Sequence, residues 1–147
     1  MTEITSEAGV TARTPWHIWV VGILALLWNA SGAYTIMSAQ AGRLPGLDAD
    51  EAAYYAAQPN WLTAVTDIAL LSALAGAVVL LLRSKWAVEL FGLSIVAIAV
   101  SAGYDLAAGT SRMYANTGAL VATLVIWVLA VLQFWYAAAM RTKGLLR

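Results

Sequence analysis

Apolar and polar positions along the chain sort into four long hydrophobic runs, at about 16–37, 61–82, 86–108 and 117–140, separated by polar breaks. Each run is near the ~20 residues that carry a helix across a ~30 Å hydrocarbon core. Inside a bilayer every backbone N–H and C=O must be satisfied by the protein itself, which leaves helices and closed barrels. None of the runs shows the period-two alternation of a barrel strand, so they predict helices. The break Arg83-Ser84-Lys85 is so short that the second and third helices must be neighbours running in opposite directions. The expected architecture is an all-α membrane protein: an antiparallel four-transmembrane-helix bundle, one domain over 15–147, behind a flexible N-terminal tail at 1–14.

The flanks of the runs refine this picture. Thr14-Pro15-Trp16 suits a helix start, with Thr14 as cap and Pro15 at the first position, where a missing N–H costs nothing. Trp16, Trp19, Trp61, Trp86 and Trp135 fall near predicted span ends, where an amphipathic ring fits the headgroup layer; His17 is read as an interfacial anchor beside them. The long connection at 38–60 contains Leu47-Asp48-Ala49-Asp50-Glu51, a capping-box pattern with Asp48 as cap. A short helix over 52–58, stopped by Pro59, would rest on the membrane surface through Tyr54 and Tyr55. A plain connector is the equal alternative.

Charge orients the bundle. One side of the membrane receives Arg13, Arg83, Lys85, Arg141, Lys143 and Arg147, the other only Arg43 and Arg112, six against two of the 8 basic residues. Basic residues favour the cytoplasmic side of short loops, so both termini are expected in the cytoplasm and the protein in the inner membrane as a multi-pass chain. A cleaved secretory signal is not expected: Glu3 and Glu7 oppose Arg13 where a positive segment is needed, and the first apolar run continues past its small residues.

Composition narrows the chemistry. Of 147 residues 62% are hydrophobic and 11% charged, against about 25% charged in soluble domains. The net charge of +0 offers no basic field for nucleic acid. With no cysteine and one histidine, disulfides, thiolate sites and cysteine nucleophiles are out, and little material remains for a metal cluster. Neither a phosphate loop, nor a metalloprotease pair, nor a serine–histidine–acid set is present. No catalytic residue, cofactor or metal is therefore expected, and the protein is read as a non-enzyme whose partner is the lipid bilayer.

Polar groups inside the runs are the candidates for function, because they are costly there. On the first span Gly22, Ala25, Asn29, Gly32, Ala33 and Ile36 share a face, so Asn29 lies in a seam of small residues that lets helices approach. Ser31 lies off that face and can bond a carbonyl one turn back. The second span carries Asp67, six residues past Trp61 and so roughly 9 Å along the helix, with Ser72 and Gly76 as a packing pair opposite. The third carries Ser94, Ser101 and Asp105 on one face, with Arg112 a candidate partner for Asp105. On the fourth, Gln133 shares a face with Gly118 and small residues. Asn29, Asp67 and Asp105 are expected at similar depth in the outer half, where lateral convergence would make a polar pocket. Glu89 is explained by Lys85 one turn before it.

Several stretches carry a resemblance: TPWHIWVVGILALLWNASGAY (14–34), LDADEAAYYAAQPNW (47–61), LLLRSKWAVELF (80–91) and FWYAAAMRTKGLLR (134–147). Across nearly its whole length the chain resembles a family of small four-span bacterial inner-membrane proteins with no established function, some of them labelled sugar transporters. A more distant analogy is to DoxX-like four-helix proteins. In that family an acidic–aromatic pair often follows the Gly-Ala after the asparagine; here Tyr34-Thr35 stands there, so a role for an acid at that place does not carry over. Two functions remain open. One is a structural or accessory membrane component, self-associating as a homo-oligomer, whose polar groups hold helices together. The other is a small-solute or proton-coupled permease using Asn29, Asp67 and Asp105. No small-molecule ligand is identified by either.

Overall fold

The computed structural model describes residues 15–110 and 117–147. Among these residues the chain forms five α-helices and no strand: α1 (His17–Gln40), α2 (Ala49–Ala57), α3 (Asn60–Leu81), α4 (Trp86–Ala107) and α5 (Thr117–Thr142). Four of them, α1, α3, α4 and α5, are long and apolar enough to cross a membrane. The 22 residues of α3 or α4 reach about 33 Å, close to the hydrocarbon thickness. The tail at 1–14, the Thr14 cap and Arg112 lie outside the described residues.

α1 outruns its apolar run, which ends at Met37, and continues to Gln40. Ser38 and Gln40 end the hydrophobic pattern, but their backbone still has helical partners. The helix stops where Arg43 N–H donates to the Ser38 carbonyl at 2.8 Å, in the manner of a Schellman cap. α2 has its expected cap: Asp48 Oδ1 accepts from Glu51 N–H at 2.7 Å, satisfying a donor the helix start leaves free.

The helices pack in a definite order. α3 rests on α4 and on α1, and α5 rests mainly on α4. A Cβ on Gly22, early in α1, would lie 2.5 Å from the Leu81 side chain at the end of α3. Thr66, early in α3, lies 3.2 Å from Ser101, late in α4. Glu89, early in α4, pairs with Arg141, late in α5, at 2.6 Å. Arg141 joins the expected Lys85 beside Glu89, because the end of α5 brings a guanidinium within reach.

The small residues divide into two kinds. Gly22 and Gly76 are true close approaches: a Cβ on Gly76 would meet the Phe91 ring at 3.0 Å. Ser72 is buried and donates to its own helix, to the Ala69 carbonyl at 3.2 Å, and Ser94 of α4 donates to the same carbonyl at 2.8 Å. Gly32 and Gly118 do not serve packing as expected. No atom lies within 4 Å of a Cβ on Gly32, and Gly118 is exposed, because α5 contacts α4 rather than closing on the whole small-residue face.

A compact core closes one end of the molecule. Ile18, Leu80, Phe91 and Met140, from four helices, meet there with Leu145 and Leu146. The two leucines arrive because Gly144, at φ 68°, reverses the chain after α5. Two backbone bonds then tie the C-terminal segment to the α3–α4 turn: Arg147 N–H to the Arg83 carbonyl at 2.7 Å and Lys85 N–H to the Arg147 carbonyl at 2.9 Å. Arg83 holds a left-handed φ of 59°, uncommon for a side-chain-bearing residue, and its Nε donates to the Leu145 carbonyl at 3.2 Å.

Candidate functional site

The end of the molecule near α2 is built differently. There α1, α3, α4 and α5 surround a cavity of about 600 Å³, within the range of small-molecule sites. It runs along α4 from Phe91 to Asp105, 14 residues or about 21 Å of helix. Its walls are chiefly apolar, with Leu70, Ile98, Ile126 and the two indoles of Trp28 and Trp127. Gly32 faces this space, which is why it has no packing neighbour.

The sequence candidates take different places. Asn29 lines the cavity and donates from Nδ2 to Gln133 Oε1 at 2.7 Å, so its partner is an amide on α5. Asp105 lines the cavity at its α2 end: Oδ2 accepts from the Tyr54 hydroxyl at 2.8 Å and Oδ1 from Thr110 at 3.2 Å. Asp67 is not part of the lining. Its Oδ1 is buried without a hydrogen-bond partner. The structure thus brings Asn29 and Asp105 to one cavity and leaves Asp67 off it, because Asp67 lies on another face of α3 from Thr66, Ala69 and Leu70, which do line the space.

Polar residues outside the expected trio complete the site, Thr66 among them without any mark in the sequence reading. Gln133 bridges to α1. Thr66 and Ser101 are joined at 3.2 Å between α3 and α4, and Thr66 also donates to the Leu62 carbonyl at 3.0 Å. Ser31 bonds the Trp28 carbonyl at 2.8 Å, the local back-bond expected of it. A signal for Gln133 was present, as an amide in an apolar span. What sequence lacked was which amide faces which.

At the span ends, Trp16 and Trp86 are exposed and Trp61 stands edge-on to Tyr104 at 5.1 Å. His17 does more than mark a boundary: Nδ1 and the Tyr136 hydroxyl share a hydrogen bond of 2.6 Å, joining α1 to α5. α2 is not a loose connector. Tyr54 ties it to the end of α4. Burial, and then donation to the Asp105 carboxylate, push the Tyr54 phenol above its ordinary 10.0.

Among the described residues no group of three or more His, Asp or Glu is placed to hold a metal ion. The arrangement can instead accept a molecule with an apolar body and one polar end. No family model, curated protein or solved structure matches this chain.

Proposed function

We propose that this chain is a non-enzymatic, multi-pass protein of the bacterial inner membrane that holds a small, largely apolar molecule between its helices. The cavity carries this reading: about 600 Å³ with chiefly apolar walls, opened where α5 leaves α1 and α3. In the arrangement proposed, four antiparallel helices span the bilayer with both termini in the cytoplasm. The helix ends that meet, the outward-facing apolar side chains and the basic bias of the α3–α4 turn and C-terminal segment support it. The core of Ile18, Leu80 and Met140 then closes the cytoplasmic end, and the cavity lies toward the outer leaflet.

The accessory and permease readings share this cavity. Asn29–Gln133 and Thr66–Ser101 act as interhelical ties, the part of the accessory reading that the geometry favours. Net transport requires a path through the closed core as well. Binding is the common step, and the resemblance to four-span inner-membrane proteins accords with it.

The test is photolabelling in proteoliposomes with a long-chain alcohol bearing a diazirine on its chain. Expected are saturable adducts on residues 28–36 and 122–133, lost severalfold in Gly32→Leu. A Cβ at this position meets open space, and leucine is a better helix former than glycine, so the fold is expected to be retained. Adducts spread evenly over cavity and lipid-facing positions, unchanged in Gly32→Leu, would refute the binding reading.

A further inference from the structure

The cavity has an electrostatic sign as well as a shape. Its walls carry one acidic side chain, Asp105, and no Lys, Arg or His among the described residues. The two bonds to that carboxylate come from neutral hydroxyls, Tyr54 at 2.8 Å and Thr110 at 3.2 Å. Such donors orient the carboxylate without cancelling its charge, and two oxygens retain lone pairs for a further partner. No described cation pairs with Asp105; the ion pair formed by Arg141 and Glu89 is at the other end of the bundle.

An anionic ligand would meet the Asp105 carboxylate in a space of chiefly apolar walls, where like charges repel more strongly than in water. A cationic head, by contrast, would gain an opposite charge at Asp105, whose described hydrogen-bond partners are both neutral. Trp28 and Trp127 line the same space and offer large apolar surface to the body of a ligand.

We propose that the cavity selects lipophilic cations, namely amphiphiles with an ammonium head and an apolar tail, and that Asp105 receives the head while Trp28 and Trp127 flank the body. This rests on the binding reading above and adds the sign of the ligand. Asp105 is then a binding residue, and Tyr54 and Thr110 position it. The elongated shape, about 21 Å along α4, suits an alkyl chain extended toward Gln133.

The experiment uses the same diazirine-bearing chain with three heads: the neutral alcohol, a trimethylammonium and a carboxylate. Each is titrated into proteoliposomes of the full chain, with cavity adducts on residues 28–36 and 122–133 normalised to adducts on lipid-facing positions, which removes differences in membrane partition. The ammonium probe is expected to half-saturate the cavity at a concentration about tenfold below the carboxylate probe, a modest demand on one unit-charge contact. In Asp105→Asn, nearly isosteric and still able to accept from Tyr54, that preference is expected to vanish while the alcohol still labels; Asp105→Glu restores it. Equal saturation by ammonium and carboxylate probes in the native protein overturns the proposal, as does a preference retained in Asp105→Asn. Failure of the cavity to label with the alcohol as well overturns the binding reading beneath it, so the two failures are distinct.

Discussion

Asp105 shows how one side chain acquires a role from its neighbours. In sequence it is an acid near the end of an apolar run, with Arg112 the only charge to suggest itself. In the structure its partners are Tyr54, 51 positions away, and Thr110. The same contact sets the chemistry of Tyr54, whose phenol is held protonated by burial and by donation to a carboxylate. Because the folded protein raises this phenol above 10.0, the Tyr54 contribution to stability is complete below the ordinary phenol range and is lost as pH rises beyond it. Absorbance at 295 nm during alkaline titration checks this. The slowest-titrating tyrosine of the six should disappear in Tyr54→Phe, and an unchanged late phase would rule the assignment out. Asn29 makes the same point within an apolar helix: its amide was visible, its partner Gln133 was not, since spacing along one helix says nothing of which residue the next helix presents.

Among the elements, α2 is the one whose standing changes most. Its start was legible because Asp48 and Glu51 stand three apart, and the bond from Glu51 N–H to Asp48 confirms the cap. Its position over the end of α4 was not legible, since that depends on where α1 and α4 finish. The Tyr54 tether holds α2 against Asp105, a residue that lines the cavity. Asp48→Ala should cost the helix about 1 kcal/mol, read as faster hydrogen exchange at the amides of Ala52–Tyr55 with the α3 and α4 amides unaffected. Exchange accelerating throughout the molecule would mean that α2 is part of the global fold rather than a separately opening unit. At the opposite end, the C-terminal segment behaves as an element in its own right. Leu145 and Leu146 enter the core through a glycine turn, and Arg147 bridges the α3–α4 turn.

For the molecule as a whole, the two ends are unlike. One is closed by side chains from four helices and the C-terminal segment; toward the other the helices part around the cavity, whose Asp105 is held by Tyr54 of α2. The outward surface carries large apolar residues such as Leu24, Leu27, Val96, Leu82 and Trp135, a face suited to lipid and not to water. Lipid is as apolar as leucine, so the helices are held by close packing and interhelical hydrogen bonds rather than by the hydrophobic effect. Gly22 on Leu81 and Asn29 on Gln133 are examples of each. The absence of cysteine makes the proposed orientation straightforward to test with single-cysteine variants and a membrane-impermeant maleimide. Arg43→Cys should react from outside the inner membrane and Lys143→Cys only after the membrane is opened; the reverse pattern would invert the topology.

By itself the sequence determined that four segments are long and apolar enough to span a bilayer and roughly where each begins and ends, and it offered a capped helix at Asp48 as one of two equal readings. These follow from interactions within a few residues: hydropathy, helical hydrogen bonding and caps. Tertiary structure alone decided that Asn29 meets Gln133, that Asp105 and not Asp67 reaches the cavity, and that Gly32 opens a space where Gly22 closes one. The physical reason is that a residue's helical face is set by local geometry, whereas what lies opposite is set by the rotation and separation of helices from distant parts of the chain.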